Sequence, residues 1–211
     1  MYRSFLVPGA IALALAGPAV AQENRLYITQ DTVGGADGNT LFVDQSLAAR
    51  STVGRPEAPS TQIGFGNAAT VDVAADDGEV LLRQGLLGAP SIGGVAVVTL
   101  EQGAVGGFAD ILQTGVGNDG QIVLTAPSAT GRIEQRGDGN TGLLSVESAD
   151  ASATLRQLGD DNDIGLQVTG EGANVSWTVI GDGVSTAPSA TPQVISNGGT
   201  VIVTQTVLGG G

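Results

Sequence analysis

Apolar and polar residues alternate along most of this chain, and the alternation restarts at a fixed interval. In segments 120–124, 131–135 and 142–146, every second residue is apolar, small or an amide, and most residues between them are polar. A period of two indicates a β-strand with one buried face. Because the same phase returns every eleven residues, we expect all the strands to face one core. The segments between strands are rich in Gly, Asp, Asn, Pro and Ser, which are typical turn residues.

Glutamine defines a longer repeat of two strands. The pattern Q-x-G-x-x-N occurs at 62–67, 113–118, 135–140 and 157–162, and the last three copies are spaced by 22 residues. Elsewhere the loops lengthen, but the number of strands between anchors stays even. One sheet should therefore carry a single row of seven glutamines and one valine, which are Gln30, Gln62, Gln84, Gln113, Gln135, Gln157, Val179 and Gln205. The accompanying asparagines are Asn67, Asn118, Asn140 and Asn162.

These patterns predict an all-β fold, a two-sided β-solenoid of about seven stacked 22-residue strand-turn-strand coils. An outer-membrane barrel also has alternating strands, but those are about 9–11 residues long and carry aromatic girdles. The present strands are shorter. The core is expected to contain Ile122, Leu144, Leu155, Leu166 and Trp177. The residues expected to point outward are Arg132, Glu134, Thr154 and Arg156.

The first 21 residues are typical of a cleaved signal peptide. Arg3 precedes an apolar stretch at 5–15, and Ala19-Val20-Ala21 has the A-x-A form of a cleavage site. The apolar stretch is shorter than the roughly 20 residues that span a bilayer. We therefore predict a signal peptide at 1–21 and an exported, extracellular repeat domain at 22–211 that does not insert into a membrane.

Composition excludes most enzyme chemistry. The chain has 21 acidic residues and eight basic ones, all of them arginine, and it has no histidine, lysine or cysteine. It therefore has no Ser-His or Cys-His nucleophile pair, no Schiff base, and no metal site with nitrogen or thiolate ligands. The net charge of −13 becomes −14 when Arg3 is removed, which disfavours binding to nucleic acid or to anionic lipid. We expect no enzymatic activity and no cofactor.

Two acidic turns resemble fragments of calcium-binding loops, since carboxylate and carbonyl oxygens suit a hard cation. They lie at 117–120 and 160–163. Calcium-binding β-rolls repeat every nine residues, whereas this chain repeats every eleven and has asparagine where a ligand aspartate should recur. We interpret these residues as solvated turn charges and predict no metal site.

The inward amides predict hydrogen-bonded ladders. A buried amide without a partner costs about 1–3 kcal/mol, but equivalent amides one coil apart lie at strand spacing and can bond to one another. The ladders should fix the register of the strands. In the end coils, Gln30, Gln45 and Gln205 should leave the ladders unfinished beside open strand edges, and open edges can add another copy.

The repeats resemble those of the curlins, the secreted subunits of bacterial curli amyloid fibres, whose pattern is S-x5-Q-x-G-x2-N-x-A-x3-Q. Gln62, Gly64, Asn67 and Ala69 match it in order, and the three later copies match its core. The serine six residues before the glutamine is replaced in those later copies. The second glutamine is also replaced, by Val73, Leu124, Val146 or Val168, so one of the two amide rows is largely apolar.

The resemblance implies self-association into fibres, together with other curlin subunits and a curli export machinery that includes an outer-membrane pore. Such a pilus-like fibre supports cell adhesion and biofilm matrix. The alternative is a secreted monomeric β-solenoid that acts as an adhesin or binding protein. The repeats do not distinguish a major subunit from a nucleator.

Overall fold

The structure is a computed structural model that describes residues 10–14, 23–32, 38–186 and 192–207. Its regular elements are β-strands, and the described residues include no helix. The strands, in chain order, are β1 (Ala10–Ala14), β2 (Arg25–Leu26), β3 (Ile28–Thr32), β4 (Thr40–Asp44), β5 (Thr52–Val53), β6 (Ser60–Phe65), β7 (Ala68–Val73), β8 (Glu79–Gln84), β9 (Ser91–Ile92), β10 (Val95–Leu100), β11 (Phe108–Val116), β12 (Asp119–Leu124), β13 (Thr130–Arg136), β14 (Thr141–Val146), β15 (Ser152–Leu158), β16 (Asp163–Val168), β17 (Asn174–Ile180), β18 (Gln193–Val194) and β19 (Thr200–Thr206).

The strands form two parallel sheets, which confirms the predicted β-solenoid of about seven coils. Sheet A has the order β1-β4-β7-β10-β12-β14-β16-β18. Sheet B has the order β2-β5-β8-β6-β9-β11-β13-β15-β17-β19, with β3 beside β6 and β8 also beside β11. From β10 to β19 the chain alternates between the sheets, so each coil adds a layer to both, whereas earlier in the chain β2 and β3, β5 and β6, and β8 and β9 enter sheet B in succession. At a strand spacing of ~4.8 Å, seven layers give a rod of about 35 Å.

The coil length is constant only in part of the rod. Gln62 and Gln84 are paired across 22 residues, and the same interval separates each rung from Gln113 to Val179. Insertions lengthen the other coils: Gln30 to Gln62 spans 32 residues, Gln84 to Gln113 spans 29, and Val179 to Gln205 spans 26. The strand pairs nevertheless place Gln30 opposite Gln62, Gln84 opposite Gln113 and Val179 opposite Gln205, so the longer coils keep the register of the row.

The core lies between the two sheets and is a continuous column of aliphatic side chains. Ile122, Leu144, Leu155 and Leu166 are completely buried, as predicted. Trp177 also faces inward but is only partly buried, since it lies one layer from the end of sheet B. Full burial of one such aliphatic side chain stabilises the fold by about 1.5–3 kcal/mol.

All four residues predicted to point outward lie on the outer face of sheet B, but one of them is buried there. Arg132, Thr154 and Arg156 are on the outer face and partly exposed. Glu134 is also on that face but is buried, at 8% exposure, because neighbouring arginines cover it. Glu134 thus points outward as predicted, but it is not exposed to solvent.

The N-terminal region contributes one strand to the solenoid. β1 pairs in parallel with β4, from Ala10 opposite Thr40 to Ala14 opposite Asp44. The predicted cleavage motif at 19–21 lies outside the described residues, so the signal peptide stays a prediction. Within the described chain, no helix is long and apolar enough to cross a membrane.

Candidate assembly site: the amide ladders and the ends of the rod

The predicted glutamines form one straight row along sheet B. The strand registers pair Gln30 with Gln62, and the row continues through Gln84, Gln113, Gln135 and Gln157 to Val179 and Gln205. The five glutamines from Gln62 to Gln157 are at most 1% exposed. The period-two alternation and the even number of strands between successive glutamines were sufficient to predict that these side chains lie in one inward row.

The side chains of this row form a hydrogen-bonded ladder with one direction. Nε2 of Gln113 donates to Oε1 of Gln135 at 2.9 Å, and Nε2 of Gln135 donates to Oε1 of Gln157 at 2.9 Å. The links from Gln30 to Gln62, from Gln62 to Gln84 and from Gln84 to Gln113 run the same way. Every donor in this glutamine ladder points toward the C-terminal end of the rod.

Each glutamine also ties the two sheets together. Nε2 of Gln135 lies 2.9 Å from the carbonyl oxygen of Asp119, which begins a strand of sheet A, and 3.0 Å from that of Asn140 in its own turn. Gln157 makes the equivalent contacts to Thr141 and Asn162. The carbonyl oxygens of Asn140 and Asn162 also accept the backbone N–H groups of Asp119 and Thr141, so the amides add a second hydrogen bond to each of these turn carbonyls.

The glycine of the motif is required by the stacking of coils. Gly137 has φ = +119°, a conformation that L side chains rarely adopt. A Cβ atom at this position would collide with the carbonyl oxygen of Gly159 in the next coil. Gly115 has the same relation to Gly137. The motif therefore couples an inward amide to a turn that only glycine can make at this spacing.

The asparagines form a second ladder that runs in the opposite direction. Nδ2 of Asn140 donates to Oδ1 of Asn118 at 3.0 Å, and Nδ2 of Asn162 donates to Oδ1 of Asn140 at 2.9 Å. Asn67 donates to Oδ1 of Asn39 in the same sense. Gly94 separates these two parts of the asparagine ladder, because it occupies the position of an asparagine and donates its backbone N–H to Asn67.

Sequence reasoning missed Asn39, which is completely buried. It stands nine residues after Gln30 instead of five, so it does not fit the motif. The sequence did contain a signal for Asn39, because Asp37-Gly38-Asn39 repeats the letters of Asp138-Gly139-Asn140.

Gln45 is the opposite case, because it was predicted to belong to a ladder and does not. It is buried, but its Nε2 has no hydrogen-bond partner and its row continues as Val73, so no ladder begins there.

A third stack, of aspartates, lies in the turns. Oδ1 of Asp138, Asp160 and Asp182 each accepts a backbone N–H from the preceding coil, at 2.8 Å. The turn at 160–163 therefore has a structural role in addition to carrying charge. Among the described residues, no group of three or more His, Cys, Asp or Glu side chains could hold a metal ion.

The two ends of the rod interrupt the glutamine ladder and leave rungs incomplete. At the C-terminal end, Val179 separates Gln157 from Gln205, and the side chain of Gln205 has no hydrogen bond within the described chain. At the N-terminal end, Gln30 donates to Gln62, but its Oε1 accepts no bond from the described residues. One end thus has an unused donor and the other an unused acceptor.

The apolar rows at these ends are also only half covered. On β19, Val201 and Val203 face inward but are partly exposed, whereas Val175 and Val179 in the preceding layer are completely buried. Ile28 on β3 is likewise partly exposed. Nothing among the described residues pairs with the free edge of β19. At each end, therefore, the inward side chains of the last coil are not covered by a further coil.

Six charged residues on the outer side of sheet B form a cluster, which we call the arginine cluster. Its members are Arg83, Asp110, Arg132, Glu134, Arg136 and Arg156. The arginine side chains are 33–52% exposed, whereas the side chains of Asp110 and Glu134 are 7% and 10% exposed. With four positive and two negative charges, the cluster is locally cationic on a strongly acidic chain.

The outer side of sheet A carries the opposite charge. The residues of this acidic face lie in its strands or directly after them, and they are Asp44, Asp72, Glu101, Asp119, Glu147 and Asp163. None of the described arginines lies in a strand of sheet A, and none pairs with these carboxylates. Partial burial, and then the charge of Asp44, raise the pKa of Asp72, and partial burial raises the pKa of Asp119.

A scan against protein-family models and searches of curated proteins and of solved structures found no match to this chain.

Proposed function

We propose that this protein is a structural subunit of an extracellular fibre in which copies stack end to end and continue both sheets. The supporting observation is that the ends of the glutamine ladder are complementary. Gln205 has an unused Nε2 donor at the C-terminal end, and Gln30 has an unused Oε1 acceptor at the N-terminal end. The direction of the ladder is the one that a stacked second copy would extend.

The spacing along the end strands also supports stacking. If Gln205 lies opposite Gln30 of the next copy, Val203 lies opposite Ile28, since both pairs are two residues apart. The half-covered apolar side chains on both ends would then become buried, and the strand edges would gain their missing partners. Burial of apolar area and completion of backbone hydrogen bonds both favour this contact.

Membership of a curli-like system is part of the same proposal. It is supported by the Q-x-G-x-x-N repeats and by their placement in the ladder. Within it, the predicted signal peptide would direct export, other curlin subunits and their export machinery would be the partners, and the fibre would serve adhesion and biofilm matrix.

The basic test is incubation of the purified mature chain, residues 22–211, while thioflavin fluorescence is followed. We expect fibres with a ~4.7–4.8 Å meridional reflection, which is the strand spacing along a cross-β axis. A chain that stays monomeric for days at high concentration and is not seeded by curlin fibres would contradict the proposal. That outcome would favour the alternative, a monomeric secreted adhesin or binding protein.

A sharper test compares two glutamines in the last layer of the rod. Gln205→Glu replaces the unused donor with a carboxylate that would be buried against Gln30 of the next copy. Gln193→Glu makes the same change on β18, where the side chain is exposed on the outer side of sheet A. We expect elongation to slow about tenfold or more for Gln205→Glu, because an unpaired charge in the contact costs at least ~1.4 kcal/mol.

The control variant Gln193→Glu should elongate at nearly the rate of the unmodified chain. Both variants should keep the circular dichroism of a β-protein, since both positions are in an end layer. Equal elongation rates for the two variants would contradict end-to-end stacking through the glutamine row.

A further inference from the structure

We infer that the arginine cluster of one copy binds the acidic face of a second copy, so that rods associate side by side. The contact would join the outer side of sheet B to the outer side of sheet A. It is distinct from end-to-end stacking, which uses the strand edges, and it deepens the proposed function by assigning the lateral partner of the fibre. The partner is a second copy of this chain.

The arginine cluster retains capacity for further carboxylates. Asp110 and Glu134 lie beneath the guanidinium groups, and the ion pairs of Arg132 and Arg156 with them are long, at 3.4–3.8 Å. The Nε atoms of Arg132 and Arg156 are buried, whereas the two side chains as a whole are 43% and 42% exposed. The outer layer of the cluster consists of partly exposed guanidinium groups with net positive charge, which bind carboxylates well because of their planar array of donors.

The acidic face supplies carboxylates without internal partners. Asp72, Asp119 and Asp163 are exposed and have no ion pair within the described chain. Asp119 and Asp163 are two layers apart with Thr141 between them, and Arg132 and Arg156 are on adjacent layers of sheet B. Both faces therefore repeat along the same axis at the strand spacing of about 4.8 Å, so charges can align over several layers.

Whole-molecule charge makes this contact selective. Two copies that each carry about −14 repel one another in most orientations. An orientation that brings the arginine cluster to an acidic region is locally attractive. The cluster spans the four strands β8, β11, β13 and β15, and the carboxylates of the acidic face lie in or directly after the strands from β4 to β16.

The two faces lie on opposite sides of the rod, because the sheets face each other across the core. A contact between unlike faces leaves one arginine cluster and one acidic face free in the pair. Such a heterologous contact does not close, so lateral association should continue into layers rather than stop at dimers. In a fibre of stacked copies the contact recurs with every subunit, and its strength grows by multivalency.

The test uses the triple variant Asp72→Asn, Asp119→Asn and Asp163→Asn of the mature chain. These changes remove three carboxylates from the acidic face and leave the buried ion pairs of sheet B intact. The matched control is Asp150→Asn, Asp161→Asn and Glu171→Gln, which removes the same charge from exposed turn residues. Bundle width by electron microscopy and light scattering are measured at low and at high salt, beyond ~0.5 M NaCl, where surface charges are screened.

We expect the unmodified chain and the control to form bundles that separate into single fibres at high salt. The triple variant should form fibres of normal length that stay single, with lateral association weakened about fivefold or more. Bundles of the triple variant that match those of the control would overturn the inference, as would bundles insensitive to salt. Single fibres of the unmodified chain that retain a soluble polyuronate would also overturn it, in favour of an anionic polysaccharide as the partner.

Failure of end-to-end stacking can be distinguished from failure of the lateral contact. If no fibres form, sedimentation velocity of the unassembled chain at low salt still tests the lateral contact. Salt-sensitive oligomers of the unmodified chain that the triple variant lacks would support the inference while the proposed fibre fails. Monomers in both would overturn the inference as well.

Discussion

At the scale of single residues, Glu134 is a carboxylate on an outer face that is nevertheless buried beneath three arginines. Its ion pairs with Arg136, Arg156 and Arg132 span 2.7–3.8 Å. We expect Glu134→Gln to lower the free energy of unfolding by about 1–3 kcal/mol, a modest loss because the arginines are partly exposed. Urea denaturation measures this.

The control for Glu134 is Glu101→Gln, which removes the same charge from an exposed position without an ion pair in the described chain. It should change the stability by less than ~0.5 kcal/mol. Equal effects of the two substitutions would show that the arginine cluster does not depend on its buried carboxylate.

Gly137 offers a second test at the residue scale. Gly137→Ala should destabilise the fold by more than about 2 kcal/mol, because the new Cβ collides with the Gly159 carbonyl and φ is +119°. Gly117→Asn is the matched control. Gly117 has φ = +65° and open space around it, and asparagine tolerates that conformation. Thermal unfolding of both variants would reveal the difference, and similar melting temperatures would contradict the steric argument.

At the scale of elements, the glutamine ladder holds strands of sheet B to the turns of sheet A. Replacing Gln135 and Gln157 together by Leu removes two rungs of the ladder. It takes one of three acceptors from Gln113 and removes the side-chain donors to the carbonyls of Asp119 and Thr141. We expect a loss of about 2–4 kcal/mol and slower fibre elongation. The fold should persist, because Val179 already places an apolar residue in the row.

Substitution of Arg132 and Arg156 by Ser would change two outward-pointing residues instead of two inward amides. The structure makes it a poor control, because both arginines pair with Glu134 and Arg132 also pairs with Asp110. Gln121→Leu is better matched, since Gln121 is an exposed amide on sheet A. If Gln121→Leu slowed elongation as much as the double substitution did, the ladder would not be the cause.

The element scale also explains what the sequence could and could not predict. Period-two alternation and even strand counts place all seven glutamines, because a slip of one residue would invert every strand. The arginine cluster was not predictable in the same way. Its contacts join residues such as Arg83 and Asp110, which are 27 positions apart on neighbouring strands in a lengthened coil. Asn39 was missed because an insertion changed its distance from Gln30.

At the scale of the whole molecule, net charge opposes assembly and pH should control it. Burial raises the pKa of Asp72 and Asp119 above the ordinary 3.8, so ionisation of these groups costs stability in the folded state. Their stabilising contribution is complete below the unfolded-state pKa and is lost as pH rises through the higher folded-state pKa. Asp77 behaves oppositely, because a hydrogen bond from Arg50 lowers its pKa.

We therefore expect the lag time of fibre formation to shorten as pH falls from 7 toward roughly 4.5, because the repulsion between acidic copies decreases. Asp72→Asn should reduce the pH dependence of unfolding in the same range. Thioflavin kinetics and urea denaturation as functions of pH measure the two effects. A lag time that is constant or longer at the lower pH would contradict the charge argument, while Asp77 should affect stability only at still lower pH.

The opposite directions of the two amide ladders limit the axial dipole of a long stack of coils. A hydrogen-bonded column of like-oriented amides adds a dipole with each rung, as helices do. Here the glutamine N–H groups point toward one end of the rod and the asparagine N–H groups toward the other. Their axial dipoles oppose each other in the coils that carry both amides. A long stack would therefore accumulate little polarisation along its axis from its side chains, and adding the thousandth coil would cost the same electrostatic energy as adding the tenth.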